Sequence, residues 1–242
     1  LDTTNSPDHI ARRVQAIVDA KATAKNTLLV DAGDVFSGSV YFNKYNGLAD
    51  LAFMNLVDYD AMTFGNHEFD KNSEVLAAFI EEAQFPFVSS NLDFSNDAIL
   101  GNLVETVNSG DAESGKIYPV MIKTIAGEKV GIIGLTTEDT PTIASPGDVQ
   151  FLDAIESAKK AVAALTDLGV NKVIALSHLG YEADLVLAEQ VDGIDIIVGG
   201  HSHTKLDKPV VNRSDENAPK LIVQTGEKGQ FLGKLDVRFN ED

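Results

Sequence analysis

The chain has 242 residues, 44% of them hydrophobic, which is enough for one large core. It contains no cysteine and carries a formal net charge of −18, which excludes disulfides, thiolate metal sites and a cysteine nucleophile, and argues against a nucleic-acid polymer as partner, since no basic stripe is present to meet its phosphates. No run of about 18 apolar residues occurs, so no transmembrane segment is expected, and residue 1 opens a polar stretch, so no signal peptide is expected.

Apolar runs alternate with helical patterns, the signature of an α/β fold. Ser6 and Pro7 suit the N-cap and first position of a helix that places Ile10, Val14, Ile17 and Val18 on one face. Residues 27–34 read as a short buried strand, 47–58 as a helix and 59–65 as a strand. Residues 72–84 read as a helix burying Val75, Leu76, Phe79, Ile80 and Ala83, and 85–91 as another strand. The polar stretch 95–116 is expected to be an irregular insertion. Residues 117–137 look like a hairpin around Ala126, Gly127 and Glu128, and 151–169 like a helix closed by Gly169. Residues 172–178, 195–201, 220–226 and 233–239 supply further strands. No repeat, low-complexity tract or linker divides the chain, so it reads as one domain.

Four of the five histidines follow these strands: His67, His178, His201 and His203. His9 falls in the first predicted helix and is set aside. In open α/β sheets the ligand crevice lies beyond the carboxyl ends of the strands. Asp34 closes the strand 27–34 after a glycine, and each oxygen of a carboxylate can bind one metal. Asn66 offers a hard, neutral oxygen that adds coordination without adding negative charge. Asp, Asn and His ligands suit Mn, Zn, Fe, Co or Mg and do not choose among them. His201 and His203 are two apart; on a strand they point the same way, whereas in a loop beyond it they can reach different metals.

Asp70 lies three residues after His67. That spacing lets Asp70 hold one ring nitrogen while the other faces a substrate, as a general acid or an electrostatic clamp on a leaving group. Glu68 reads equally as a support for these groups and as a helix-starting acid. Two-metal sites, with ions ~3.5–4 Å apart, serve phosphoester hydrolysis by activating a water and absorbing charge on the phosphoryl oxygens. The plain reading of the acidic composition is solubility. The sharper one is that some carboxylates hold divalent cations, which then dominate the local field and let an acidic protein accept an anionic substrate.

The motifs DAGD, GNHEFD, SHLG and GHSHT, in that order, resemble the calcineurin-like metallophosphoesterases. More narrowly, the chain resembles the catalytic domain of the family that contains 5′-nucleotidases, UDP-sugar hydrolases and 2′,3′-cyclic-nucleotide phosphodiesterases. VGIIGLTTEDTP and FPFVSSNLDF match that family too, so the likeness spans residues 10–240. It implies a four-layer α/β/β/α sandwich with two divalent metal ions. By resemblance, Asp34 would bridge the metals, Asn66, His178 and His201 would complete one, and His203 would bind the other. His67 and Asp70 would form a catalytic dyad, and a metal-bound water or hydroxide would be the nucleophile.

The implied activity is phosphate release from nucleotides, with UDP-sugars or 2′,3′-cyclic nucleotides as the alternative substrates; no substrate-binding residue is assigned. The family's first strand carries D-x-H, a spacing absent from residues 1–33. Residues 1–242 are therefore expected to be an N-terminally truncated catalytic domain whose second metal keeps only Asp34 and His203. The family's C-terminal substrate domain, which supplies most of the nucleotide pocket, is expected to lie outside the chain. A parent protein without D-x-H would instead be a catalytically dead surface or adhesion module. By resemblance, the expected location is extracellular, at the cell surface or in the periplasm.

Overall fold

The structure, a computed structural model, describes residues 8–106, 110–216 and 218–239. In chain order, the first half forms α1 (Asp8–Thr23), β1 (Val30–Asp31), α2 (Val40–Tyr45), α3 (Leu48–Leu56), β2 (Ala61–Met62), a 3-10 turn (His67–Phe69), α4 (Ser73–Glu82), β3 (Phe87–Val88) and β4 (Leu92–Asp93). Then come a second 3-10 turn (Leu100–Leu103), β5 (Ile117–Tyr118), β6 (Val120–Ile125), β7 (Glu128–Thr136), α5 (Thr140–Ile143) and β8 (Gln150–Phe151). The chain continues through α6 (Ala154–Asp167), β9 (Val173–His178), α7 (Tyr181–Gln190), β10 (Ile196–Gly199), β11 (Val210–Asn212) and β12 (Lys220–Gln224).

Two sheets carry the fold. The first has the order β1-β2-β3-β5 and is parallel throughout. The second has the order β11-β12-β10-β9-β7-β6. Its centre, β12-β10-β9-β7, is parallel, and β11 and β6 pair antiparallel at the edges. A small antiparallel pair, β4-β8, joins the two halves of the sequence. Parallel strands need crossover connections, and helices supply them, which explains the alternation of apolar runs and helical patterns.

Three apolar clusters define four layers. One packs the first sheet against the early helices, around Phe36, Phe42, Phe64, Phe79 and Phe87. Another packs the second sheet against α6 and α7, around Ala158, Leu165, Leu187 and Ile197. The third lies between the sheets, with Ala61 and Val88 from one and Met121, Ile132 and Leu176 from the other. The order is therefore helices, sheet, sheet, helices: the α/β/β/α sandwich that the motifs imply. No helix among the described residues is long and apolar enough to cross a membrane.

Local sequence explains the element ends. Asn72 caps α4 by accepting from the Val75 N–H, and Asp153 caps α6 by accepting from Glu156. The hairpin β6-β7 turns through Ala126 and Gly127, both with positive φ (53° and 89°). Two such residues in a two-residue loop match the twist of the flanking strands.

Several expectations need adjustment. The strands at 27–34, 59–65 and 85–91 keep only two regular residues each; the apolar side chains of the last two are buried, whereas Leu28, Leu29 and Val30 are only half-buried, so the first is not the buried strand expected. On α1, Ile17 is buried but Val18 is 48% exposed, so the buried stripe is narrower than the spacing suggests. Ser6 and Pro7 lie outside the described residues. Residues 233–239 do not form a strand. Alternation alone makes no strand, and this segment pairs with no described strand; Phe231, Val237 and Phe239 stay partly exposed.

Candidate metal centre

The carboxyl ends of β1 and β2 in one sheet, and of β9 and β10 in the other, open on a common edge. Asp34 follows β1, Asn66 follows β2, His178 ends β9, and His201 and His203 follow β10. Asp34, His201 and His203 all adopt positive φ (64°, 68° and 54°), with Ser37 beside them at 68°. Such backbone costs about 1–3 kcal/mol per residue and persists only where surrounding structure enforces it.

Asp34, His178 and His201 bring ligand atoms within 4.8 Å of one another. Asp34 Oδ2 lies 3.0 Å from His178 Nε2, and Asp34 Oδ1 accepts from the His67 N–H at 2.9 Å. His178 is buried, and its Nδ1 faces the Ala32 carbonyl at 2.6 Å, which fixes the donating nitrogen. Its Nε2 is also buried and makes no hydrogen bond of normal geometry. A buried ring nitrogen facing a carboxylate is an arrangement that a proton or a metal cation between them satisfies. Asn66 is buried and its Oδ1 lies 2.9 Å from His201 Nδ1, so the amide oxygen faces the same group.

The electrostatics agree. Burial pushes Asp34 upward, but the close approach and charge of His178 outweigh it and hold Asp34 below the usual carboxylate range. Burial disfavours a charged His178, yet Asp34 draws it above the usual imidazole range. Burial and the His178 charge push His201 down, which favours its neutral, metal-binding form. The site demands positive charge, and the donor set of one carboxylate, one amide oxygen and two imidazoles fits a divalent ion.

His67 stands at the rim, 46% exposed in its side chain, with Nδ1 2.7 Å from Asp70 Oδ2. Ser37 Oγ donates to the same oxygen. Partial burial works against a charged His67, but the Asp70 bond and the Asp34 charge hold its pKa above the usual range. His203 is not brought into the Asp34 group: its side chain is 57% exposed and its Nδ1 lies 3.0 Å from Glu227 Oε2. A cavity of about 1560 Å³ connects these residues to a groove between the sheets, lined by Leu28, Val30, Val198, Val223 and Phe231.

Three supports complete the site; the sequence offers Glu68 as one of two readings and gives neither Gln224 nor Asp184. Glu68 is fully buried and accepts four backbone N–H groups, so it is not a helix-starting acid. Burial and the nearby Asp34 charge raise its pKa to about 7, against the pull of those N–H donors. Gln224 shapes the loop that carries both histidines: its Nε2 donates to the Gly200 carbonyl, and its Oε1 accepts from Thr204 N–H and Ser202 Oγ. A polar residue at the end of the apolar run KLIVQ is the one signal that marks it. Asp184, buried beneath β9, accepts from Ser177 Oγ.

Comparisons with known proteins agree with this geometry. The calcineurin-like phosphoesterase family model matches residues 3–205. The trifunctional nucleotide phosphoesterase protein YfkN of Bacillus subtilis is 45% identical over 260 residues, covering 99% of this chain and 18% of that protein. Snake venom 5′-nucleotidase from Naja atra is 38% identical over 247 residues, covering 96% of this chain and 45% of that one. Among solved structures, a 5′-nucleotidase precursor from Thermus thermophilus superposes with a TM-score of 0.82 at 45% identity, covering 90% of this chain and 43% of that one. The chain thus spans less than half the length of these relatives. With its motifs gathered at one edge of a four-layer sandwich, the chain belongs to the calcineurin-like phosphoesterase family.

Proposed function

We propose that this chain is the catalytic domain of a divalent-metal-dependent 5′-nucleotidase that releases phosphate from nucleotides. One observation carries the reading: Asp34, His178 and His201 converge with Asn66 from two different sheets, beside the exposed His67–Asp70 pair. Asp34, Asn66, His178 and His201 would hold one ion; a second would need His203 to leave Glu227 and turn toward Asp34. Bound ions supply charge neutralisation on the phosphoryl oxygens and lower the pKa of a water.

The chain's own groups do the rest. Asp70 accepts from His67 Nδ1 and fixes the ring, which leaves His67 Nε2 free to face a substrate oxygen. A charged His67, favoured by Asp70, stabilises negative charge on the transferring or leaving group. The main-chain N–H of His67 holds Asp34, so the rim pair and the metal group are mechanically joined.

The relatives' greater length supports a further domain that supplies nucleotide specificity, with residues 1–242 as the catalytic part. The venom relative supports an extracellular site of action. The test is phosphate release by the full-length protein from nucleoside monophosphates, with Mn or Zn added, run beside UDP-glucose and a 2′,3′-cyclic nucleotide. Release from the monophosphates that a chelator abolishes and metal restores is the expected result. Metal-loaded protein that neither releases phosphate from the monophosphates nor converts UDP-glucose to UMP and glucose 1-phosphate nor opens the cyclic nucleotide to a monophosphate would point to a non-catalytic module.

A further inference from the structure

Glu68 lies in the middle of the GNHEFD stretch, flanked by the candidate ligand Asn66 and the pair His67–Asp70, yet it points the other way. It is fully buried, so it touches neither solvent nor any substrate in the cleft. Its Oε1 accepts from the N–H groups of Val35 (2.7 Å) and Phe36 (3.1 Å), and its Oε2 from those of Asp34 (2.8 Å) and Gly65 (2.6 Å). Both oxygens are used twice. Three of the donors are consecutive and belong to the loop after β1; the fourth belongs to the loop after β2.

Three consecutive amides converge on one carboxylate because Asp34 at φ 64° curls the backbone into a concave nest, the form that binds anions. Here the anion is internal. Asp34 is thus held at both ends. Its main chain is tied to Glu68, while its side chain faces His178 and takes the His67 N–H.

We propose that Glu68 is a positioning residue: its carboxylate is the anchor around which both ligand-bearing loops fold, and it fixes Asp34 relative to Asn66 and His67. The proposal rests on the reading of Asp34 and Asn66 as metal ligands. A glutamine at position 68 has one acceptor oxygen and a donor NH₂ group, so two of the four N–H groups would face another donor. The loops must then move apart, and the ligand geometry with them.

Two measurements test this. Amide exchange of the wild-type protein in chelator should show Asp34, Val35, Phe36 and Gly65 protected like strand amides, although all four lie outside regular strands. Fast exchange at these four would overturn the proposal, whether or not any variant folds. Manganese titration calorimetry of Glu68→Gln should show affinity lower by about 10–100-fold, the usual effect of losing a group that orients a ligand. Leu165→Ala, in the distant helical layer, serves as the control: it should lower the melting temperature and leave manganese affinity unchanged. A folded Glu68→Gln protein with wild-type affinity sinks the proposal, as does an affinity loss matched by Leu165→Ala at equal loss of stability. If Glu68→Gln does not fold, the exchange pattern decides alone. Wild-type protein that binds no manganese would overturn the metal reading instead.

Discussion

On the proposed reading, His67 and Asp70 differ from the metal group in role as well as in place. Neither belongs to the Asp34, His178 and His201 cluster, so removing the imidazole should leave metal content intact. His67→Ala is expected to lower kcat by about 10²–10⁴-fold, the range of a lost acid or clamp, with metal stoichiometry by elemental analysis unchanged. Ser37→Ala removes only one hydrogen bond to Asp70 and should cost about tenfold or less. Equal losses of rate and metal in His67→Ala would refute the division of labour.

Asp184 offers a second residue-scale test. Burial pushes its pKa up to about 7, although the Ser177 hydroxyl pulls it back. In the unfolded chain an aspartate titrates near 3.9. Between about pH 4 and about pH 7 the folded protein therefore keeps a proton that the unfolded chain releases, and stability falls as pH rises through that window. Asp184→Asn mimics the protonated form. Its melting temperature should exceed that of the wild type near pH 8, with the gap closing near pH 4; a gap independent of pH would contradict the assignment.

At the scale of elements, the loops after β1 and β2 touch so closely that they tolerate no added atom. A Cβ on Gly65 would meet Asp34 Oδ1 at 2.2 Å and Asp34 N at 2.6 Å. Gly65→Ala should cost about 3 kcal/mol by overpacking, a fall in melting temperature of about 6–12 °C at this chain length, and should weaken metal binding as well. At Gly127, in the β6-β7 turn, a Cβ meets nothing within 4 Å. Gly127→Ala should cost only the left-handed backbone, about 1 kcal/mol, and leave metal affinity alone. Calorimetric melting with and without manganese separates the two.

The same elements show what the sequence could reveal. The strand-end histidines and Asp34 are legible because short apolar runs announce buried parallel strands, and polar groups at their ends have few other uses. The helix α7 is not: Leu185, Val186, Leu187 and Ala188 are consecutive, so they form no stripe for periodicity to find. Residues 233–239 mislead in the opposite sense, since their alternation needs a partner strand that sequence cannot supply. For Glu68 the sequence leaves a supporting role and a helix-starting role equally open, and the choice between them depends on three amides from a loop more than thirty residues away. Local pattern reveals which residues are available, and only the pairing of distant loops decides which of them turn inward.

For the whole molecule, metal should act as a stabilising ligand. At about 100 times its dissociation constant a single bound ion adds about 2.7 kcal/mol, or about 5–11 °C in melting temperature for a domain of this length. Chelator should remove that increment and added manganese restore it; a melting temperature indifferent to both would deny the ion any part in the folded state.

The two sheets contribute to the candidate centre in equal shares, Asp34 and Asn66 from one and His178 and His201 from the other. An ion held there is a rivet through the two halves of the sandwich, set where their edges would first part. Because the halves must already be folded and stacked before all four groups meet, the rivet closes late. Its grip should then appear almost wholly as slower unfolding, with the folding rate hardly changed, so that the loaded protein resists transient opening at an edge facing solvent.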